Sequence, residues 1–243
     1  MDNENNRKYI DIVIPVYNED ENIIPVLKAF DQKINSPIRV LICYDFDEDT
    51  TLSAIKSFSS NKFEIIPVKN KGKFAHGAAI TGFNYSDSQV VISYMADDDY
   101  NVEIIDLMID KFYQGYDVVC ASRFMKGGEM VGCRWQKALP VRIAAFTLKF
   151  IGMLPTHDPT NAFRLFSRRL LDEVEIESSR GFTYSLELTA KCHRLGWKIG
   201  EIPARWFERK QGSSRFKVFS WAPDYLQWYF YVFATTYLGK RKI

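Results

Sequence analysis

The chain predicts an α/β protein: a mostly parallel, Rossmann-like sheet with helices on both faces. Three observations carry this. Strand-length apolar runs alternate with helix-periodic segments through the first half, the polar clusters fall at the ends of those runs, and the composition is that of a packed globule. Of the 243 residues 47% are hydrophobic and 26% charged, which excludes a disordered chain.

Residues 9–16 form the first apolar run, followed by Ile23, Val26, Leu27, Phe30 and Ile34 at helical spacing, with Pro25 accommodated in a first turn. Residues 38–43, 63–68, 90–95 and 118–121 read as further strands, with helices predicted over 50–58, 75–85 and around Ile104–Phe112. The second half is less regular: helices over 142–151 and 183–195, strands over 163–166 and 199–207. Such alternation buries a parallel sheet on both faces and places ligands beyond the carboxyl ends of its strands. No linker or repeat interrupts it, so one catalytic domain is expected over residues 1–218. An aromatic C-terminal segment, 219–243, follows as an interfacial or packing helix.

The net charge of +2 excludes nucleic-acid binding through bulk charge. Cys43, Cys120, Cys133 and Cys192 form no C-x-x-C pair and are expected to be reduced and mostly buried. The polar N-terminus has no apolar core of a signal peptide. The longest apolar stretch, 221–238, is broken by Pro223, Asp224 and Gln227 and falls short of the ~18 uninterrupted residues of a spanning helix.

Five clusters carry chemistry. Asp97-Asp98-Asp99-Tyr100-Asn101 follows a strand directly. Carboxylates at i and i+2 on such a loop can meet one Mg²⁺ or Mn²⁺, cations commonly shared with substrate phosphates, and Asn101 adds a carbonyl oxygen. Helix capping would explain one acid, not three in a row. Ile14-Pro15-Val16-Tyr17-Asn18-Glu19 closes the first strand without the G-x-G-x-x-G of a dinucleotide-binding turn, which counts against NAD. Asp45 follows the second strand and can accept hydrogen bonds from a base or ribose. In Asn70-Lys71-Gly72-Lys73-Phe74-Ala75-His76-Gly77 the glycines allow close backbone approach and Lys73 can meet a phosphate, while His76 has no assigned role. Arg123, with Gly127-Gly128, and the stretch from Arg209 to Arg215 supply guanidinium forks suited to phosphate.

In this order the motifs resemble inverting family 2 glycosyltransferases of the GT-A fold, and among them the dolichol-phosphate mannose synthases and related polyprenyl-phosphate glycosyltransferases. The resemblance runs from about Ile10 to Lys217. Its carriers are the I-P-x-Y-N-E opening, the D-x-D-x-Q-like metal motif with Asn101 for Gln, and Ala121-Ser122-Arg123-Phe124 before paired glycines. Asp158-Pro159-Thr160-Asn161-Ala162-Phe163-Arg164 and the R-x-x-G-x-S-K-like end at Arg209–Arg215 complete the set. The resemblance implies that Pro15, Tyr17, Glu19 and Asp45 hold the nucleotide and that Arg123, Arg209 and Arg215 contact donor or acceptor phosphate; Lys73, Asp97 and Asp98 are further candidates for donor binding. Asp97, Asp99 and Asn101 would hold Mg²⁺ or Mn²⁺, and Asp99, Arg209 and Arg215 would act in catalysis. The chain departs from the family at Lys137-Ala138-Leu139-Pro140-Val141, where R-x-x-x-S is usual.

The implied activity is sugar transfer from a nucleotide diphospho-sugar (GDP- or UDP-linked) to a polyprenyl phosphate at the cytoplasmic face of a membrane. Residues 182–187 lack the E-D pair expected of a general base for a sugar hydroxyl, which favours an already anionic phosphate acceptor. Glu187 stays open as a lone base or a structural carboxylate. Transfer to a glycan hydroxyl and a non-catalytic nucleotide-sugar scaffold are the alternatives. Partnership with a second copy or with a membrane protein is left open, as is the role of the aromatic tail.

Overall fold

The computed structural model describes residues 9–208 and 218–239. In chain order the elements are β1 (Ile10–Pro15), α1 (Asp20–Lys33), β2 (Ile38–Tyr44), α2 (Thr50–Lys56), β3 (Glu64–Lys69), α3 (Phe74–Tyr85), β4 (Val90–Ser93), α4 (Ile104–Tyr113) and β5 (Val118–Ser122). There follow β6 (Glu129–Val131), α5 (Trp135–Phe150), β7 (Arg164–Ser167), α6 (Arg168–Glu173), α7 (Thr183–Leu195), β8 (Ile199–Pro203), β9 (Arg205–Phe207) and α8 (Val218–Tyr237).

Seven strands form one sheet in the order β3-β2-β1-β4-β7-β5-β8. All pairings in it are parallel except those of β7, which runs antiparallel to both β4 and β5. After β3 the chain crosses back to place β4 on the other side of β1. The crevice beyond the carboxyl ends of β1 and β4 is therefore the topological switch point, where open α/β sheets take their ligands. One apolar cluster joins α1 and α4 to one face of the sheet, through Ile23, Phe30 and Met108. A second joins α3, α7 and α8 to the other, through Phe83, Leu188 and Trp228. Burial on both faces explains why the central strands are almost continuously apolar.

Three expectations change. The single strand over 199–207 is two strands: Ala204 donates to Ser122 and accepts from Glu129, and beyond it β9 leaves the main sheet to pair in parallel with β6. Helix α5 begins seven residues earlier than 142, because Pro140 is its sixth residue and faces solvent, where water serves the carbonyl left without a donor. Pro25 likewise lies beyond the first turn of α1 and is exposed. The aromatic tail forms α8, which buries Trp228 and Val232. It is tied to α5 by the Tyr229 hydroxyl donating to Thr147 Oγ1 at 2.9 Å, and to α7 by Arg194 stacked 3.3 Å over Tyr231. Three of the four cysteines are buried and no disulfide joins them. Among the described residues no helix is long and apolar enough to cross a membrane.

Candidate active site

The loops after β1, β2 and β3 meet through side chains. Asn18, in a left-handed conformation (φ 52°), receives a hydrogen bond from Thr50 N–H and donates its own N–H to Asp49, and Glu19 N–H donates to Thr51 Oγ1. These bonds fix the first two loops to each other, with Pro15 at the last position of β1. Tyr17 stays exposed and stands edge-on to Phe46 at 5.2 Å. The Glu19 carboxylate accepts from Asn22 at 2.7 Å. Asp45 accepts from Asn70 at 2.5 Å, and Asn70 in turn receives Gly72 N–H. Gly72 and Gly77 approach so closely that a Cβ on either would lie 2.9 Å from the other's backbone, so the chain is folded tightly back on itself just before α3. Lys73 is exposed beside this turn. Phe74, which sequence reasoning passed over, is 74% exposed at a positive φ of 59°, a conformation that costs a non-glycine residue energy.

The acidic loop after β4 separates into two kinds of residue. Asp98 and Asn101 point inward and are buried. Asn101 donates from Nδ2 to both Asp98 carboxylate oxygens (3.0 and 2.7 Å), and its N–H donates to the same carboxylate. The Asn101 amide also pairs with the backbone of Arg205: Nδ2 donates to the carbonyl at 2.8 Å and Oδ1 accepts the N–H at 2.9 Å. Asn101 thus imitates a strand residue and clamps the acidic loop to β9. Burial pushes the Asp98 carboxyl up to about 7, against the lowering effect of the Asn101 hydrogen bonds. Asn101, expected to offer its oxygen to a metal, and Asp98, expected to contact the donor, are both engaged in this clamp. Asp97 is half-buried and Asp99 is exposed. No cluster of three acids, histidines or cysteines with metal-binding geometry occurs among the described residues. A pair of carboxylates on a solvent-facing loop, without a protein cage, fits a Mg²⁺ or Mn²⁺ ion that completes its coordination with substrate phosphates and water.

Arg123 is likewise engaged within the protein. Its Nε and Nη2 fork onto Asp158 at 2.6 and 2.9 Å, Nη2 also reaches Thr160, and Asp158 is fully buried. The charge is compensated within the protein by Asp158. Burial alone would raise the Asp158 carboxyl, but the Arg123 guanidinium outweighs it and holds that group below the usual carboxylate range. A depressed folded-state pKa contributes stability that is present above pH ~4 and is lost as pH falls through the folded value. Asp158→Ala, which strands a buried guanidinium, is expected to cost about 3–5 kcal/mol in urea denaturation at pH 7 and to abolish that acid-sensitive component. The paired glycines follow: a Cβ on Gly128 would lie 2.3 Å from the Ser122 carbonyl, so only glycine lets β6 start there.

Beside Arg123, between β6 and α5, lies a groove of about 700 Å³. Its walls are apolar, from Met130 and Val131 on one side and Ile143, Phe146 and Phe150 on the other, with Glu129 at the rim. Arg142 and Lys149 also line it, and neither has a carboxylate partner within ion-pair distance among the described residues. Along α5, Trp135, Leu139, Ile143, Phe146 and Phe150 are 49–71% exposed. Their spacing of four, four, three and four residues makes one continuous stripe. Sequence reasoning missed this groove and stripe, although the spacing in residues 135–150 was the signal available. The groove connects to the acidic loop through two strands, since β6 pairs with β9 and β9 is clamped by Asn101.

Glu187 has no catalytic exposure. It is fully buried, accepts the N–H groups of Glu177 and Ser178, and pairs with Lys191 at 2.8 Å. His76 is buried against Ser178 and Tyr184. Arg209, Arg215 and the basic tail 240–242 lie outside the described residues.

Over 211 residues the chain is 24% identical to a polyprenol monophosphomannose synthase of Mycolicibacterium smegmatis, covering 84% of this chain and 79% of that one. It is 28% identical over 198 residues to a dolichyl-phosphate hexose transferase of Haloferax volcanii, covering 82% of each. Among solved structures, glucosyl-3-phosphoglycerate synthase from Mycobacterium tuberculosis, crystallised with Mn²⁺, uridine diphosphate and phosphoglyceric acid, superposes with a TM-score of 0.64. That match is at 14% identity and covers 97% of this chain and 79% of that one; it establishes the GT-A fold. The model of glycosyl transferase family 2 matches residues 11–175, which hold the loops after β1, β2 and β3, the acidic loop and the Arg123–Asp158 pair, and the chain belongs to that family.

Proposed function

We propose that this glycosyltransferase moves a hexose, with inversion, from a nucleotide diphospho-sugar to a polyprenyl phosphate, working peripherally at a membrane surface. The observation that carries the acceptor assignment is the groove beside α5: apolar walls with two cations that have no ion-pair partner among the described residues, opening along an exposed apolar stripe. A prenyl chain needs the first and a phosphate the second, and a helix with such a stripe lies naturally in a bilayer interface. The names of the two relatives point to the same acceptor class.

On the donor side, the Tyr17–Phe46 pair and the Asp45–Asn70 hydrogen bond offer an aromatic surface and a fixed carboxylate to a nucleoside. Asp97 and Asp99 would hold the divalent cation. When bound, that cation offsets the charge that develops on the departing diphosphate. The acceptor phosphate oxygen attacks the anomeric carbon, the bond from that carbon to the diphosphate oxygen breaks, and its electron pair leaves with the nucleoside diphosphate. Arg142 and Lys149 hold the attacking phosphate. That group is already an anion, so no general base is required, in keeping with the buried, fully bonded Glu187.

The test is incubation of the purified full chain and Mn²⁺ with radiolabelled nucleotide sugars, with and without a short polyprenyl phosphate. Metal-dependent label in the organic phase is expected. Donor binding without lipid labelling would overturn the acceptor assignment.

A further inference from the structure

The groove contains one more polar group, and the protein has gone to some length to orient it. His157, on the loop between α5 and β7, lines the groove. Its Nδ1 lies 2.6 Å from Glu201 Oε1, and its backbone N–H donates to the other oxygen of that carboxylate at 2.8 Å. Thr156 adds a third bond to Glu201 at 3.2 Å, and the edge of Phe150 packs on the ring at 6.0 Å. The carboxylate is anchored on β8, so ring position and Nδ1 role are both fixed from the sheet. The other ring nitrogen, Nε2, has no hydrogen-bond partner among the described residues. A solvent-exposed surface histidine would not require a three-bond carboxylate mount; a carboxylate at one imidazole nitrogen is a common way to orient the other toward a substrate. The next residue, Asp158, holds Arg123, which ties the ring to the wall of the same groove.

We propose that His157, oriented by Glu201, contacts the anionic head group of the acceptor through Nε2 and sets the preference for a phosphate monoester there. This rests on the reading of the groove as the acceptor site. With the ring doubly protonated, Nε2–H donates to a phosphate oxygen; with the ring neutral, a monoprotonated phosphate donates to Nε2. In both cases one hydrogen bond with a charged partner joins the two. Arg142 and Lys149 supply charge from α5, and His157 supplies direction from the sheet side.

Steady-state kinetics of the full chain test this with His157→Gln, His157→Asn and Glu201→Gln, each checked by thermal melting. Loss of a charge-assisted hydrogen bond predicts a rise of about 10- to 100-fold in KM for polyprenyl phosphate in the His157 variants and a smaller rise in Glu201→Gln. KM for the nucleotide sugar and the melting temperature should stay near wild type. Glycerol 3-phosphate, added as a competitor, separates the two sources of the head group. Inhibition of wild type that weakens in His157→Asn means that the phosphate alone is recognised, and no inhibition of either means that the lipid must deliver it. An unchanged acceptor KM, or a parallel rise in both KM values, would overturn the role of His157. A wild-type enzyme that binds donor but labels no lipid would instead overturn the acceptor reading on which it rests.

Discussion

Asp99→Ala should lower kcat/KM by about 10²–10³-fold, the usual cost of removing a group that stabilises developing transition-state charge, while leaving the fold intact. The side chain is exposed and enters no ion pair among the described residues, so its truncation should change stability by no more than about 0.5 kcal/mol. Raising Mn²⁺ should recover part of the loss if the defect lies in metal affinity. The neighbouring Asp98→Ala should behave in the opposite way. That side chain is buried and receives three hydrogen bonds from Asn101, so its loss should appear first in the melting temperature. Parallel measurement of melting temperature and of Mn²⁺ dependence separates the two acids. Similar profiles for both would mean that the division into an outward pair and an inward clamp is wrong.

Asn101→Asp should destabilise the protein by about 3 kcal/mol, which for a chain of this size lowers the melting temperature by roughly 6–12 °C. The carboxylate it creates would face the Asp98 carboxylate and the Arg205 carbonyl, the two groups that now accept from Nδ2. A metal ligand would respond differently: a carboxylate binds Mg²⁺ or Mn²⁺ at least as well as an amide oxygen. Full stability with tighter Mn²⁺ binding in the presence of the nucleotide would therefore return Asn101 to the metal. A lowered melting temperature, with metal affinity unchanged or weakened, establishes it as the clamp between the acidic loop and β9.

The two tests bear on how the site is built. The acidic loop, β9 and β6 are three short segments remote in sequence, and none has a long ladder to fix it. The Asn101 amide replaces a missing strand partner at Arg205, and β9 then carries β6 and one wall of the groove. The acidic loop and the groove are in this way held in one frame, as the proposed transfer between two bound substrates requires.

The alternation of apolar runs and helical periodicity was enough to place β1 to β5 and the helices between them, because strand and helix periods are local properties of a chain buried on both faces. The clustering of acids after β4 and of Tyr17, Asp45 and Asn70 after the first three strands was legible for the same reason: polar residues bounding a buried strand must lie at its mouth. Partnership was not legible. That β7 inserts antiparallel between β4 and β5, that Arg123 spends its fork on Asp158 thirty-five positions away, and that Asn101 pairs with a backbone 104 positions away depend on long-range pairing that leaves no periodic trace. Nor could spacing alone show that the stripe on α5 is left uncovered by the described residues while the more aromatic α8 buries Trp228. A helix's amphipathic pattern is written in its own residues, but whether anything covers its apolar face is decided by the packing of the rest of the chain.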